Sequence, residues 1–145
     1  MQTNIVQQDL KPPLVLVVDD DPDWRDFVGE VLAPVYRVEG ASGGSDAIEA
    51  ARRGRPALIV LDVMMPGGMD GFSTLCALRK DPVTRDIPVI ILSAVNATLG
   101  TCFNREELDR YLGVAPSAFL EKPIPPPELL AEVSRLIHIS TRQRT

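Results

Sequence analysis

Apolar positions in this chain fall into short unbroken runs, separated by stretches in which they recur at three-four spacing. LVLVV at 14–18, ALIVL at 57–61 and VIIL at 89–92 lack polar alternation, as strands buried on both faces do. Tyr36 and Val38 fit a shorter second strand, and Ala118 to Leu120 a last one. Behind Asp21-Pro22, an N-cap followed by proline at the first helical position, Trp24, Phe27, Val28, Val31 and Leu32 predict a helix that ends before Pro34. A second helix opens at Ser42 or Ser45, carries Ala47, Ile48 and Ala51, and stops at Gly54 and Pro56. The turn Pro66-Gly67-Gly68 leads to a third with Phe72, Leu75, Cys76 and Leu78. Asn104 with Glu107 three residues on is a capping-box pattern for a fourth helix over 104–112. Pro125, Pro126 and Pro127 precede a fifth, with Leu129, Leu130, Val133, Leu136 and Ile137 on one face.

Strands that alternate with helices in this way predict an α/β fold, with a parallel sheet covered on both faces. Right-handed crossovers leave the doubly wound sandwich as the simplest solution, and its ligand site lies outside the carboxyl ends of the strands. Residues 1–13 read as a loose leader, 14–138 as the domain and 139–145 as a tail. A length of 145 residues suits one domain with an ordinary core.

A formal net charge of −5 is unfavourable for a polyphosphate backbone, so direct nucleic-acid binding is not expected. Cys76 and Cys102 have no metal-ligand spacing and read as two free thiols. The sequence shows neither a membrane span nor a signal peptide, and the expected setting is the cytoplasm. His138, the single histidine, falls late in the last helix and reads as a surface or partly packed residue.

Chemistry gathers where the apolar runs stop. The first strand runs into Asp19-Asp20-Asp21, the third into Asp62, the fourth into Ser93, and the last leads to Lys122-Pro123. Phosphate-binding nucleotide folds put glycine or hydroxyl residues after the first strand; three aspartates exclude that arrangement. Carboxylates about 4 Å apart repel by roughly 4 kcal/mol at an effective dielectric near 20, and raised pKa values or a cation must relieve this. One or two carboxylates at an open sheet edge suit Mg²⁺, which keeps waters and takes a phosphoryl oxygen. Asp21 is better explained as a helix cap. Asp62 follows five apolar residues directly, at the mouth of a buried strand. A carboxylate there can attack phosphorus and form an acyl phosphate if nearby positive charge holds the phosphoryl oxygens. Lys122 could supply such a charge, and Ser93 a hydroxyl donor.

VLVVDDDP, LIVLDVMMPGGMDG, IPVIILSA and FLEKP, in this order, resemble the receiver domain of two-component response regulators, the CheY-like family, over residues 14–138. The resemblance implies a five-stranded, flavodoxin-like (βα)5 sandwich in which Asp62 accepts a phosphoryl group from a sensor histidine kinase or a phosphotransfer protein. It implies that Asp20, Asp62 and the backbone carbonyl of Met64 bind Mg²⁺, with Asp19 holding an outer-shell water. Ser93 and Lys122 would contact the phosphoryl group, Phe119 would be the aromatic switch partner of Ser93, and Lys122-Pro123 would carry a cis peptide bond. Such a domain is not an enzyme beyond its own phosphorylation and dephosphorylation. Acting alone, it would signal by docking to a downstream protein or relay partner through its fourth helix, fifth strand and fifth helix, a surface that could also pair two copies.

Two departures stand out. The loop after Asp62 has one glycine more than the usual form, and the stretch between Ser93 and Lys122 is several residues longer than the family normally shows. Met64 and Val95 flank the site with side chains that cannot orient water, so slow self-hydrolysis is expected. Two other readings stay open: a phosphatase of the haloacid dehalogenase type, which places its nucleophile on the first strand instead, and a receiver-like interaction module that is never phosphorylated.

Overall fold

A computed structural model describes residues 12–62, 71–93 and 117–144, apart from the side chains of Phe72, Ser93 and residues 141–144. Among these the chain runs β1 (Leu14–Val18), α1 (Pro22–Leu32), β2 (Arg37–Ala41), α2 (Gly44–Gly54), β3 (Leu58–Leu61), α3 (Gly71–Lys80), β4 (Val89–Ser93), β5 (Ala118–Glu121) and α4 (Pro126–Arg144). The strands form one sheet in the order β2-β1-β3-β4-β5, and every pairing is parallel. From β1 the chain steps out to the edge at β2, then crosses back over β1 to β3. The order therefore reverses at β1 and β3, where doubly wound sheets open a crevice at their carboxyl ends.

The missing polar alternation in the central strands has a direct structural cause. Leu16, Val18, Ile59, Leu61, Val89 and Ile91 pack with Ala47, Ala50 and Ala51 of α2 and Leu75 and Leu78 of α3. The alternate residues Val15, Val17, Leu58, Val60, Ile90 and Leu92 face the other way, against Val28 and Leu32 of α1 and Leu129 and Val133 of α4. Each such side chain contributes about 1.5–3 kcal/mol when fully buried, so both layers are required to hold the sheet.

Local signals explain most boundaries. The Asp21 side chain caps α1 by accepting from the Asp23 N–H at 2.9 Å, Pro22 takes the first helical position, and Pro34 lies just beyond the end. In α2 neither expected serine caps the helix: Gly43, in extended conformation, occupies the cap and no side chain bonds to it. That helix stops at Gly54, and Arg55 takes the left-handed conformation, with φ 46°. Tyr36 stands just outside β2, its ring buried and its hydroxyl 2.8 Å from Ser134 Oγ on α4. The last helix runs through the expected tail to Arg144, with Leu129, Val133, Leu136 and Ile137 buried as its apolar face predicts. Cys76 is a free thiol. The expected helix at 104–112, Cys102, residues 1–11 and the Pro66-Gly67-Gly68 turn lie outside the described residues.

Candidate functional site

The parallel ladder continues one residue beyond the strands and fixes two aspartates. Asp19 N–H donates to the Ala41 carbonyl at 3.1 Å, and Asp62 N–H donates to the Val18 carbonyl at 3.0 Å. Because Val18 pairs with Leu61, the residues after them emerge side by side from the two central strands. Both aspartates are buried, at 5% and 6% exposure, while Asp20 is exposed. Carboxylate oxygens of Asp19, Asp20 and Asp62 all lie within 4.8 Å of one another.

The Lys122 ammonium faces this negative charge. Lys122 Nζ donates to Asp19 Oδ2 at 2.9 Å and stands 3.7 Å from Asp62 Oδ2, with its side chain only 13% exposed. The Lys122-Pro123 peptide is cis. The other Asp19 carboxylate oxygen accepts the Asp21 N–H at 3.0 Å, and the Asp19 carbonyl accepts from an Arg25 guanidinium N–H at 2.7 Å. Arg25 lies against Gly40 of β2, where a Cβ would stand 3.3 Å from the arginine Cδ; the absence of a side chain leaves room for the guanidinium to reach Asp19.

Of the residues singled out in the sequence, Asp19, Asp20, Asp62 and Lys122 converge. Asp21 is the cap of α1 and takes no part in the cluster. Ser93 ends β4 opposite Glu121, the residue before Lys122, which brings the Ser93 backbone to the same edge; its side chain and Met64 lie outside the described residues. Phe119 is partly buried and packs against the layer formed by α2 and α3.

Trp24, one of the apolar positions whose spacing predicts α1, is also a site neighbour. Its ring lies 4.5 Å from Lys122 Nζ, in cation–π range. Arg25 was likewise not anticipated. The available signal was their place in the first turn of a helix that starts at the acidic loop.

The donor set fits a small hard cation. Oxygens on Mg²⁺ are about 3.0 Å apart at adjacent positions and about 4.2 Å at opposite ones at ordinary bond lengths, so three carboxylates within 4.8 Å of one another suit an ion that some of them reach directly and another through a water. The exposed side at Asp20 leaves room for waters and a phosphoryl oxygen.

Comparison with known proteins points the same way. The family model described as the response regulator receiver domain matches residues 15–134. The response regulator PleD of Caulobacter vibrioides is 39% identical over 123 residues, covering 84% of this chain and 25% of PleD. The DNA-binding dual master transcriptional regulator RpaA of Synechocystis is 35% identical over 133 residues, 90% of this chain and 51% of RpaA. The chain thus spans a quarter to a half of these relatives. Among solved structures, the Vibrio cholerae chemotaxis protein CheY4 superposes with a TM-score of 0.74 at 29% identity, covering 86% of this chain and 98% of that one.

Proposed function

Because the chain belongs to the response regulator receiver domain family, we propose that it is a phosphorylation switch in which Asp62 is the acceptor. The observation that carries this reading is a buried Asp62 carboxylate with two further carboxylates within 4.8 Å and an ammonium at 3.7 Å. A carboxylate oxygen of Asp62 attacks the phosphorus, forming the new O–P bond. The bond from phosphorus to the donor, a phosphohistidine nitrogen or the oxygen of a small acyl phosphate, breaks, and the leaving group departs with the electron pair. Asp19, Asp20 and Asp62, with the Met64 carbonyl, would hold Mg²⁺, Asp19 through a water. The ion, when bound, neutralises phosphoryl oxygens as negative charge gathers on them. Lys122 gives up part of its attraction to Asp19 and meets a phosphoryl oxygen, Ser93 donates its hydroxyl to another, and Phe119 follows Ser93.

The donor is a sensor histidine kinase or phosphotransfer protein. The phosphoryl charge favours one of two conformations, and the face containing β5 and α4 then meets a downstream protein, a relay partner or a second copy. This reading carries with it a cytoplasmic setting; among the described residues no helix is long and apolar enough to cross a membrane.

Incubation with acetyl phosphate and Mg²⁺ tests the proposal. An acid-stable, alkali-labile adduct that is lost in Asp62→Asn is the expected result. Steady turnover of phosphate esters would instead identify a phosphatase, and failure both to bind Mg²⁺ and to form an adduct would identify an inert interaction module.

A further inference from the structure

We propose that Trp24 is a positioning residue for Lys122, an inference that rests on the receiver reading above. Among the described residues the lysine ammonium has three close neighbours: Asp19 Oδ2 at 2.9 Å, Asp62 Oδ2 at 3.7 Å and the Trp24 ring at 4.5 Å. Only the first is at hydrogen-bond distance, and that bond must loosen when Lys122 turns to an incoming phosphoryl group. A flexible four-carbon stem offers little to keep a released ammonium in place. The indole face does. It attracts the cation through its quadrupole and carries no net charge, so it holds the ammonium without competing with the phosphoryl oxygens for it.

The indole is itself held in place. Trp24 and Phe27, one turn apart on α1, make an edge-to-face pair with centroids 5.1 Å apart and planes at 84°. Both pack against the layer formed by α1 and α4. Trp24 also belongs to the helical turn capped by Asp21, whose N–H is bound by Asp19. Ring and carboxylate therefore sit on one short rigid segment, and Lys122, reaching over from the end of β5, meets both.

Two measurements test this. The first is the rate of Asp62 phosphorylation by acetyl phosphate. Trp24→Leu keeps an apolar side chain and loses the π face, so a fall of roughly fivefold is expected; Trp24→Phe restores a face and stays within about threefold of the wild type. Trp24→Leu at the wild-type rate, or Trp24→Phe falling as far as Trp24→Leu, overturns the proposal. The second needs neither donor nor metal. Trp24 is the chain's single tryptophan, so Lys122→Ala must alter the emission of the resting protein, and an unchanged spectrum overturns the proposal even where a Trp24 variant fails to fold. If the wild type forms no Asp62 adduct, the receiver reading itself fails; a wild-type adduct whose rate is indifferent to residue 24 sinks only the role of Trp24.

Discussion

Replacing Lys122 with methionine keeps most of the side-chain stem and removes the charge that balances the acidic cluster. At 2.9 and 3.7 Å the ammonium attracts Asp19 and Asp62 by about 6 and about 4 kcal/mol at an effective dielectric near 20. Most of that attraction is offset by the cost of taking the charges out of water, and the variant leaves two buried carboxylates facing each other without their counter-charge. Loss of one partner from a buried pair costs about 3–5 kcal/mol. With the Lys122 side chain still 13% exposed, the lower end applies, so Lys122→Met is expected to lose about 3 kcal/mol in metal-free buffer, roughly 6–12 °C in melting temperature. Urea unfolding in EDTA measures this directly. Under the proposed function saturating Mg²⁺ binds the same carboxylates and should narrow the gap between variant and wild type by at least half, while adding Asp62→Asn to Lys122→Met should recover about 1 kcal/mol in EDTA. A variant within 0.5 kcal/mol of the wild type in EDTA, to within about the usual error of such measurements, would refute the claim that the ammonium balances the cluster. A gap that widens with Mg²⁺ would show that metal and ammonium do not serve the same charges.

Asp21→Ala removes the α1 cap and should cost about 1 kcal/mol in urea unfolding, with Mg²⁺ affinity by calorimetry unchanged; weakened Mg²⁺ binding would give Asp21 a metal role after all. Arg25→Ala breaks the 2.7 Å bond to the Asp19 carbonyl and should cost about 2 kcal/mol, with faster hydrogen exchange in the loop after β1; unchanged exchange there would mean the loop holds its shape without the guanidinium. Met64→Asn introduces a group able to orient water and should shorten the lifetime of the acyl phosphate, followed by loss of radiolabel; a lifetime equal to the wild type's would count against a water-excluding role for Met64.

Much of the fold and the acidic part of the site was legible in the sequence because their signals are local. Asp21-Pro22 marks a helix start through the chemistry of two adjacent residues, and Asp62 is conspicuous because a carboxylate directly follows a fully buried strand. The start of α2 falls between the two expected positions: Ser42 and Ser45 are both good caps by residue type, whereas the cap is Gly43 between them, in extended conformation. The place of Trp24 beside Lys122 is not legible for a related reason. Three-four spacing identifies the apolar face of a helix but not where that face meets the sheet, and the first turn of α1 meets it at the carboxyl ends of the strands. Residue 24 is thus both a packing residue and a neighbour of Lys122. Arg25 reaches Asp19 past a glycine on β2, a tertiary coincidence that the local sequence does not encode.

The pairing of β1 with β3 carries one more consequence. These are adjacent interior strands of the sheet, and their carboxyl ends bring Asp19 and Asp62 together. Apolar burial pulls the strands into register while like charge at their tips pushes them apart, a local frustration built into the centre of an otherwise consistent sequence. Any cation that settles between the tips relaxes that conflict and tightens the middle of the sheet. Under the proposed function, stability and readiness to signal rise together, and a sequence optimised for stability alone would place neutral side chains where these aspartates stand.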